Sequence, residues 1–247
     1  MTPALPARLR VLLRLLSLQS SWTYERMQGI GIGVASEPLL DLARGDGDHE
    51  REARSRSVQY FNAHPYLGGV AVGALARAEL DGEPGERILR LRTALSGPLG
   101  ALGDQIFWVG LVPATMAGAL AAVVLGGGLV AVGLAVLVYN VVRFAVTAWG
   151  LRIGLAHGIH VAQAVTSSRL RGAIGWAGGA AAVLVGFAIP VVAEWLLRDA
   201  GYGDRTLGLA LAGALAFGLA GIRRRMPAIA FTMAAAGLVL FWRWSVA

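Results

Sequence analysis

From Gln105 to Leu125 the chain runs 21 residues without a charge, and from Leu129 to Trp149 another 21 broken only by Arg143. A helix of about 20 residues covers the roughly 30 Å of a bilayer's hydrocarbon core. Either stretch is therefore long enough to cross, and Gly126-Gly127-Gly128 between them predicts a tight hairpin. Composition agrees: 56% of the 247 residues are hydrophobic, 15% are charged, and the mean hydropathy is +0.61. These values place the chain among multi-pass membrane proteins.

The same composition excludes several chemistries. All 22 basic residues are arginine, so no lysine is present for a Schiff base or a phosphate loop, and the absence of cysteine removes disulfides and thiol nucleophiles. The net charge of +7 does not indicate nucleic acid, because the arginines flank apolar runs and are not interleaved with stacking aromatics. At the N-terminus, "MTPALPARLRVLLRLLSLQSS" resembles a signal peptide only superficially, since Arg14 interrupts its apolar core. An amphipathic helix lying at the membrane interface is the better reading.

Residue 96 divides the chain by character. Residues 1–96 alternate short apolar pieces with charged ones; within them, 66–80 is apolar but too short to cross, which predicts a re-entrant or interfacial segment. Residues 97–247 carry the spans: the two already named, a third from Ala173 to Leu197, and a short pair separated by Arg223, Arg224 and Arg225. Arginine bias in the alternate loops predicts a cytoplasmic N-terminus, five crossings and an external C-terminus. The closing pair also admits insertion without full crossing. Gly69–Gly73 and Gly175–Gly179 are small-xxx-small faces suited to close helix packing. "GIGIG" at 29–33 lacks the register of a dinucleotide loop and reads as a turn ending the first helix.

The candidate functional residues gather at the mouth of the first span. Gly97-Pro98, Gly100 and Gly103 precede Asp104 and Trp108, a run that predicts irregular backbone lining a cavity or a subunit seam. There Asp104 accepts hydrogen bonds from a polyol or from backbone amides; its alternative role is an N-cap for the span at Gln105. Asn62, His64 and Pro65 stand where the 66–80 segment begins, and His64 is held extended by the proline after it. Its role is either a structural turn or part of a pathway. Asn140 and Arg143 lie inside the second span, where the arginine either snorkels to the cytoplasmic surface or pairs within the bundle. No histidine has carboxylates at metal-ligand spacing, so neither metal nor cofactor is expected.

Four blocks, "LQSSWTYERMQGIG", "FNAHPYLGG", "SGPLGALGDQIFW" and "YNVVRFAVTAWGLRIGLAHG", occur in the order and at about the spacing of the IID component of mannose/fructose/sorbose-family sugar phosphotransferase systems. The chain resembles that family from about residue 8 to its C-terminus. The first block marks Trp22, Tyr24, Glu25, Arg26 and Gln28 as family-motif positions. Thr23 stands where asparagine is usual, Ala63 where threonine is, Gly100-Ala101 where Ala-Gly is, and Gln105 where serine is. The resemblance implies an all-α polytopic protein of the bacterial inner membrane, residues 1–96 and 97–247 being two parts of one IID domain. It implies a hetero-oligomer with a IIC membrane subunit that translocates a mannose-type hexose, served by IIA and IIB proteins and embedded in lipid. Phosphoryl transfer would reside on IIB, leaving this chain without catalytic residues. The alternative is a regulatory or scaffold relative of IID that does not transport.

Overall fold

The computed structural model describes residues 5–42, 47–165, 168–201 and 203, and among them every extended element is helical. Helices α1 (Leu5–Leu15), α2 (Gly29–Leu40) and α3 (Gly47–Ser57) precede α4 (Gly68–Leu80) and α5 (Gly85–Ile106). Then follow α6 (Val112–Ala122), α7 (Gly128–His157), the short α8 (Val161–Val165) and α9 (Ser168–Asp199). The continuous helical run from Gly85 to Val165, folded back at the glycine triplet, and the stretch Gly172–Asp199 are long and apolar enough to cross a membrane. The closing apolar pair lies outside the described residues. The chain divides into two compact units, Met1–Phe187 and Ala188–Ala247. Of the second, the described part is the end of α9, where Arg198 Nε donates to Glu194 Oε1 at 2.9 Å.

The hairpin falls where the glycines predict it: Gly126 and Gly128 take φ of 97° and 52°, values that side chains rarely adopt. The mouth of the first span departs from expectation. Gly97, Pro98, Gly100, Gly103 and Asp104 all lie inside α5, with Pro98 in its interior, so the backbone there is regular and Asp104 is not an N-cap. The reason is tertiary. Ile88, Leu91, Leu95, Leu99, Gly103 and Ile106 recur at helical spacing and are all buried, and burial of such a stripe outweighs the roughly 1 kcal/mol that each glycine subtracts from helix propensity. The irregularity comes one turn later, as a widened π turn over Phe107–Leu111. It lies just before Pro113, whose ring would crowd the carbonyl four residues earlier in a regular helix.

Helix α4 is buried along nearly its whole length and lies directly on α7. A Cβ placed on Gly69 would come within 2.6 Å of Thr147 O, and one on Gly73 within 2.6 Å of Leu151 O. From the facing side, Gly154 meets Val70 O at 2.4 Å. The Gly69–Gly73 face is therefore met by Gly150 and Gly154, whereas Gly175 and Gly179 have nothing within 4 Å. The "GIGIG" run does not end a helix, as its composition suggests; it begins α2, because its glycines let that helix press against the carbonyls of Leu18 and Gln59.

Ion pairs fix the N-terminal helices around this core. Arg54 Nη2 bridges Asp41 (2.7 Å) and Glu50 (2.8 Å), and Arg14 pairs with Glu37. The most enclosed pair, Arg56 to Glu79, makes two bonds of 3.0 and 2.9 Å and ties α3 to α4.

Candidate functional site

An open cleft of about 520 Å³ lies where three segments converge, within the size range of small-molecule sites. The loop after α1 contributes Gln19, Trp22 and Gln28. Residues Asn62 to Pro65 form a second wall. The third is one face of α5, with Ser96, Gly97, Gly100, Ala101 and Asp104, continued by Trp108 in the π turn.

The first two walls are pinned together by Gln28, which is buried. Its Nε2 donates to Ala63 O at 2.7 Å and its Oε1 accepts from the Ala63 amide at 3.2 Å. The side chain thus imitates a paired strand, and the Gln28 amide extends the pairing by donating to Phe61 O at 2.8 Å. The turn before it is closed by Thr23, whose Oγ1 accepts from the Arg26 amide at 3.2 Å. The second and third walls are joined at Ser96, whose hydroxyl accepts the Asn62 amide and donates to the Asn62 carbonyl. With both its backbone groups held, exposed Asn62 is left with its side chain at the cleft.

His64 is 2% exposed and caps a short 3-10 turn over Pro65–Leu67, its Nδ1 accepting the Tyr66 amide at 3.4 Å. Its ring stacks on Phe107 at 4.9 Å and 12°, while Tyr66 stands edge-on at 4.9 Å and Trp108 is tilted at 5.9 Å. Gly103 makes room for this ring, since a Cβ there would lie 2.1 Å from that of His64. Burial lowers the His64 pKa below the ordinary histidine value, opposed in part by the negative charge of Asp104. Its Nε2 is enclosed and has no partner, and an unmet buried polar group costs roughly 1–3 kcal/mol.

The structure brings together Asp104, Gly97, Trp108, Asn62, His64, Pro65, Trp22 and Gln28 as cleft residues, with Gly103 behind His64. Pro98 is exposed on α5 outside the lining. Tyr24 is 85% exposed and meets Trp22 edge-on at 4.8 Å. Glu25 and Arg26 are exposed, and Arg26 contributes its carbonyl to the Phe61 amide at 3.3 Å. Asn140 bonds within its own helix, Nδ2 to Val136 O at 2.8 Å. Arg143 is half-buried, its guanidinium lying 5.1 Å over the ring of Tyr66 and 4.9 Å over that of Phe144; the Tyr66 hydroxyl is 3.0 Å from that of Tyr139. Sequence reasoning missed Gln19 and Ser96. Ser96, Gly100, Asp104 and Trp108 are spaced by four, a signal that appears once the segment is read as helix.

Asp104 is the one acidic side chain among the lining residues. Beside it stand the amides of Gln19 and Asn62 and the rings of Trp22 and Trp108. Hydroxyl-rich neutral ligands need this mixture: acceptors and donors in fixed positions, with aromatic surface for their C–H faces. Among the described residues no group of three or more histidine or carboxylate side chains is placed to hold a metal.

Residues 6–203 match the family described as PTS system mannose/fructose/sorbose family IID component. The fructose permease IID component of Bacillus subtilis (strain 168) is 29% identical over 159 residues, 62% of this chain and 58% of that protein. The PTS system mannose-specific EIID component of Escherichia coli (strain K12) is also 29% identical, over 62% and 56%. The chain thus spans less than two thirds of the length of these relatives. Among solved structures, the cryo-EM complex of mannose transporter ManYZ with microcin E492 (MceA) superimposes with a TM-score of 0.58 at 25% identity, over 76% of this chain and 71% of its counterpart. A second, described as a membrane protein, gives 0.64 at 20% identity over 90% and 98%, a likeness of fold.

Proposed function

The chain belongs to the mannose/fructose/sorbose family of phosphotransferase-system IID components, and on that premise we propose that it is a multi-pass inner-membrane permease subunit whose cleft forms part of a sugar path. In this reading it joins a IIC-type subunit to translocate a mannose-type hexose. Residues 1–96 supply the interfacial part and 97–247 the spanning part of one IID domain. Phosphoryl transfer to the sugar falls to IIB, served by IIA, and this chain binds and orients.

The observation that carries the reading is the joint placement of Asp104, Asn62 and two tryptophans around one open cleft, built from the motif segments of the family. Two constraints follow from the chemistry. A single carboxylate disfavours anions, so the species accommodated here is the free sugar and not its phosphate. Exposed apolar side chains along α6 and α7, such as Met116, Leu129 and Val130, need lipid or a partner helix to cover them.

The test is reconstitution. Co-expression with the IIC-type subunit should yield a stable complex that binds radiolabelled mannose, fructose or sorbose at equilibrium, and the isolated chain should be heterogeneous in detergent. A monodisperse, thermally robust monomer would count against the partner. A stable complex that binds none of the three sugars would refute the sugar path and favour a non-transporting relative.

A further inference from the structure

Two side-chain atoms among the described residues are buried without a partner, Arg8 Nε and His64 Nε2. A guanidinium has further N–H groups to satisfy its charge; an imidazole has none. In His64 the other nitrogen, Nδ1, accepts the Tyr66 amide, so it must keep its lone pair. The proton of the neutral ring then sits on Nε2. Burial favours the neutral ring, opposed in part by Asp104, and stacking on Phe107 with Gly103 against its Cβ holds it in place. The cap on the Tyr66 amide uses Nδ1 alone and leaves the Nε2 N–H unused. The site therefore holds a fixed N–H that no group of this chain receives, on the wall of a cleft whose one acidic side chain is the acceptor Asp104.

We propose that His64 Nε2 and Asp104 together hold one hydroxyl of the sugar, the histidine donating to its oxygen and the carboxylate accepting its proton. This deepens the reading of the cleft as a sugar site and rests on it. A hydroxyl is both donor and acceptor, and no simple ion meets both demands. An anion would face Asp104, and a cation cannot accept from Nε2–H. Because Nε2 has no exposed surface, a neighbouring side chain turns aside when the ligand enters. In this proposal the side chain that moves is Trp108, which is 55% exposed, lines the cleft and lies 5.9 Å ring to ring from His64.

The test uses the complex with its IIC-type partner in bilayers, with 15N-labelled histidine. The four histidines are distinguished by comparison with His64→Asn. Imidazole 15N resonances are recorded with and without saturating mannose, fructose or sorbose, and equilibrium binding of the labelled sugar is measured on the same sample. The expected result is a shift of the His64 Nε2–H resonance on binding, with Nδ1 little changed. His64→Asn should bind roughly ten-fold or more weakly while the complex assembles, because asparagine can still cap the Tyr66 amide. Sugar binding that leaves the Nε2 resonance unmoved overturns the proposal, and so does wild-type affinity in His64→Asn. Should that variant not assemble, the His64 resonances are assigned through their through-space contacts to the Phe107 ring, and the wild-type spectra decide. Absence of binding by all three sugars to the wild-type complex overturns the sugar-site reading itself, and this inference with it.

Discussion

Replacing Gly154 by alanine tests whether α4 is held against α7 by direct backbone contact. The added methyl would lie 2.4 Å from Val70 O and 2.7 Å from Ala74 N, about 1 Å inside ordinary van der Waals contact. Both are backbone atoms of α4 and cannot rotate away, so the helices must separate. Overpacking of this kind costs about 1–3 kcal/mol, while alanine returns about 0.8–1.0 kcal/mol of helix propensity. Gly133 provides the control, being exposed on the same helix with nothing within 4 Å; there only the propensity gain operates. The difference between Gly154→Ala and Gly133→Ala thus isolates the packing loss, and at about 2–4 °C per kcal/mol it corresponds to a gap on the order of 5 °C. Tryptophan fluorescence of the purified complex during heating, at one fixed scan rate because membrane complexes often unfold irreversibly, measures it. Equal transition temperatures for the two variants would refute the close contact.

Three further outcomes follow from the site and the spans. Gln28→Ala leaves the buried amide and carbonyl of Ala63 without partners and should destabilise the cleft wall by about 2–4 kcal/mol, read as faster proteolysis of the 60–65 segment. Because the folded state holds His64 below its ordinary value near 6.5, the unfolded chain binds more protons there. The contribution of this residue is complete above about pH 6.5 and is lost as pH falls below that value. Melting of the wild-type complex should accordingly show a steeper acid limb than His64→Asn, and superimposable pH profiles would contradict the burial argument. In this cysteine-free chain, Gly203→Cys should react with a membrane-impermeant thiol reagent from outside intact cells, as the arginine bias requires. Labelling only after lysis would invert the topology.

The features legible in the sequence were those encoded locally. The Gly126–Gly128 hairpin stood out because uncharged runs flank it, and the Gly69–Gly73 face because its spacing is itself the packing signal. Asp104, Trp108, Asn62 and His64 were visible as polar or aromatic residues at broken apolar segments. The conformation of 97–104 was misread because propensity was weighed residue by residue, whereas the buried stripe from Ile88 to Ile106 decides it. That misreading also hid Ser96, whose place on the cleft face depends on helical period. Gln28 was marked by its motif, but its partner lies 35 residues away, a pairing that no local pattern announces. The "GIGIG" run was misjudged for a related reason: its glycines accommodate carbonyls from other segments, which composition alone does not reveal.

The central claim is that the cleft lies on the sugar path, and Asp104→Asn tests it most directly. Asp104 is exposed in the last turn of α5, so the amide keeps the shape and leaves packing intact while removing the charge and half the acceptor capacity. Loss of a charge-assisted hydrogen bond costs about 1.5–3 kcal/mol, a ten-fold or greater fall in affinity. Uptake of radiolabelled sugar by cells carrying the full permease, with complex yield measured in the same membranes, should therefore fall at least ten-fold at sub-saturating sugar with the yield unchanged. Wild-type uptake at wild-type yield would contradict the account.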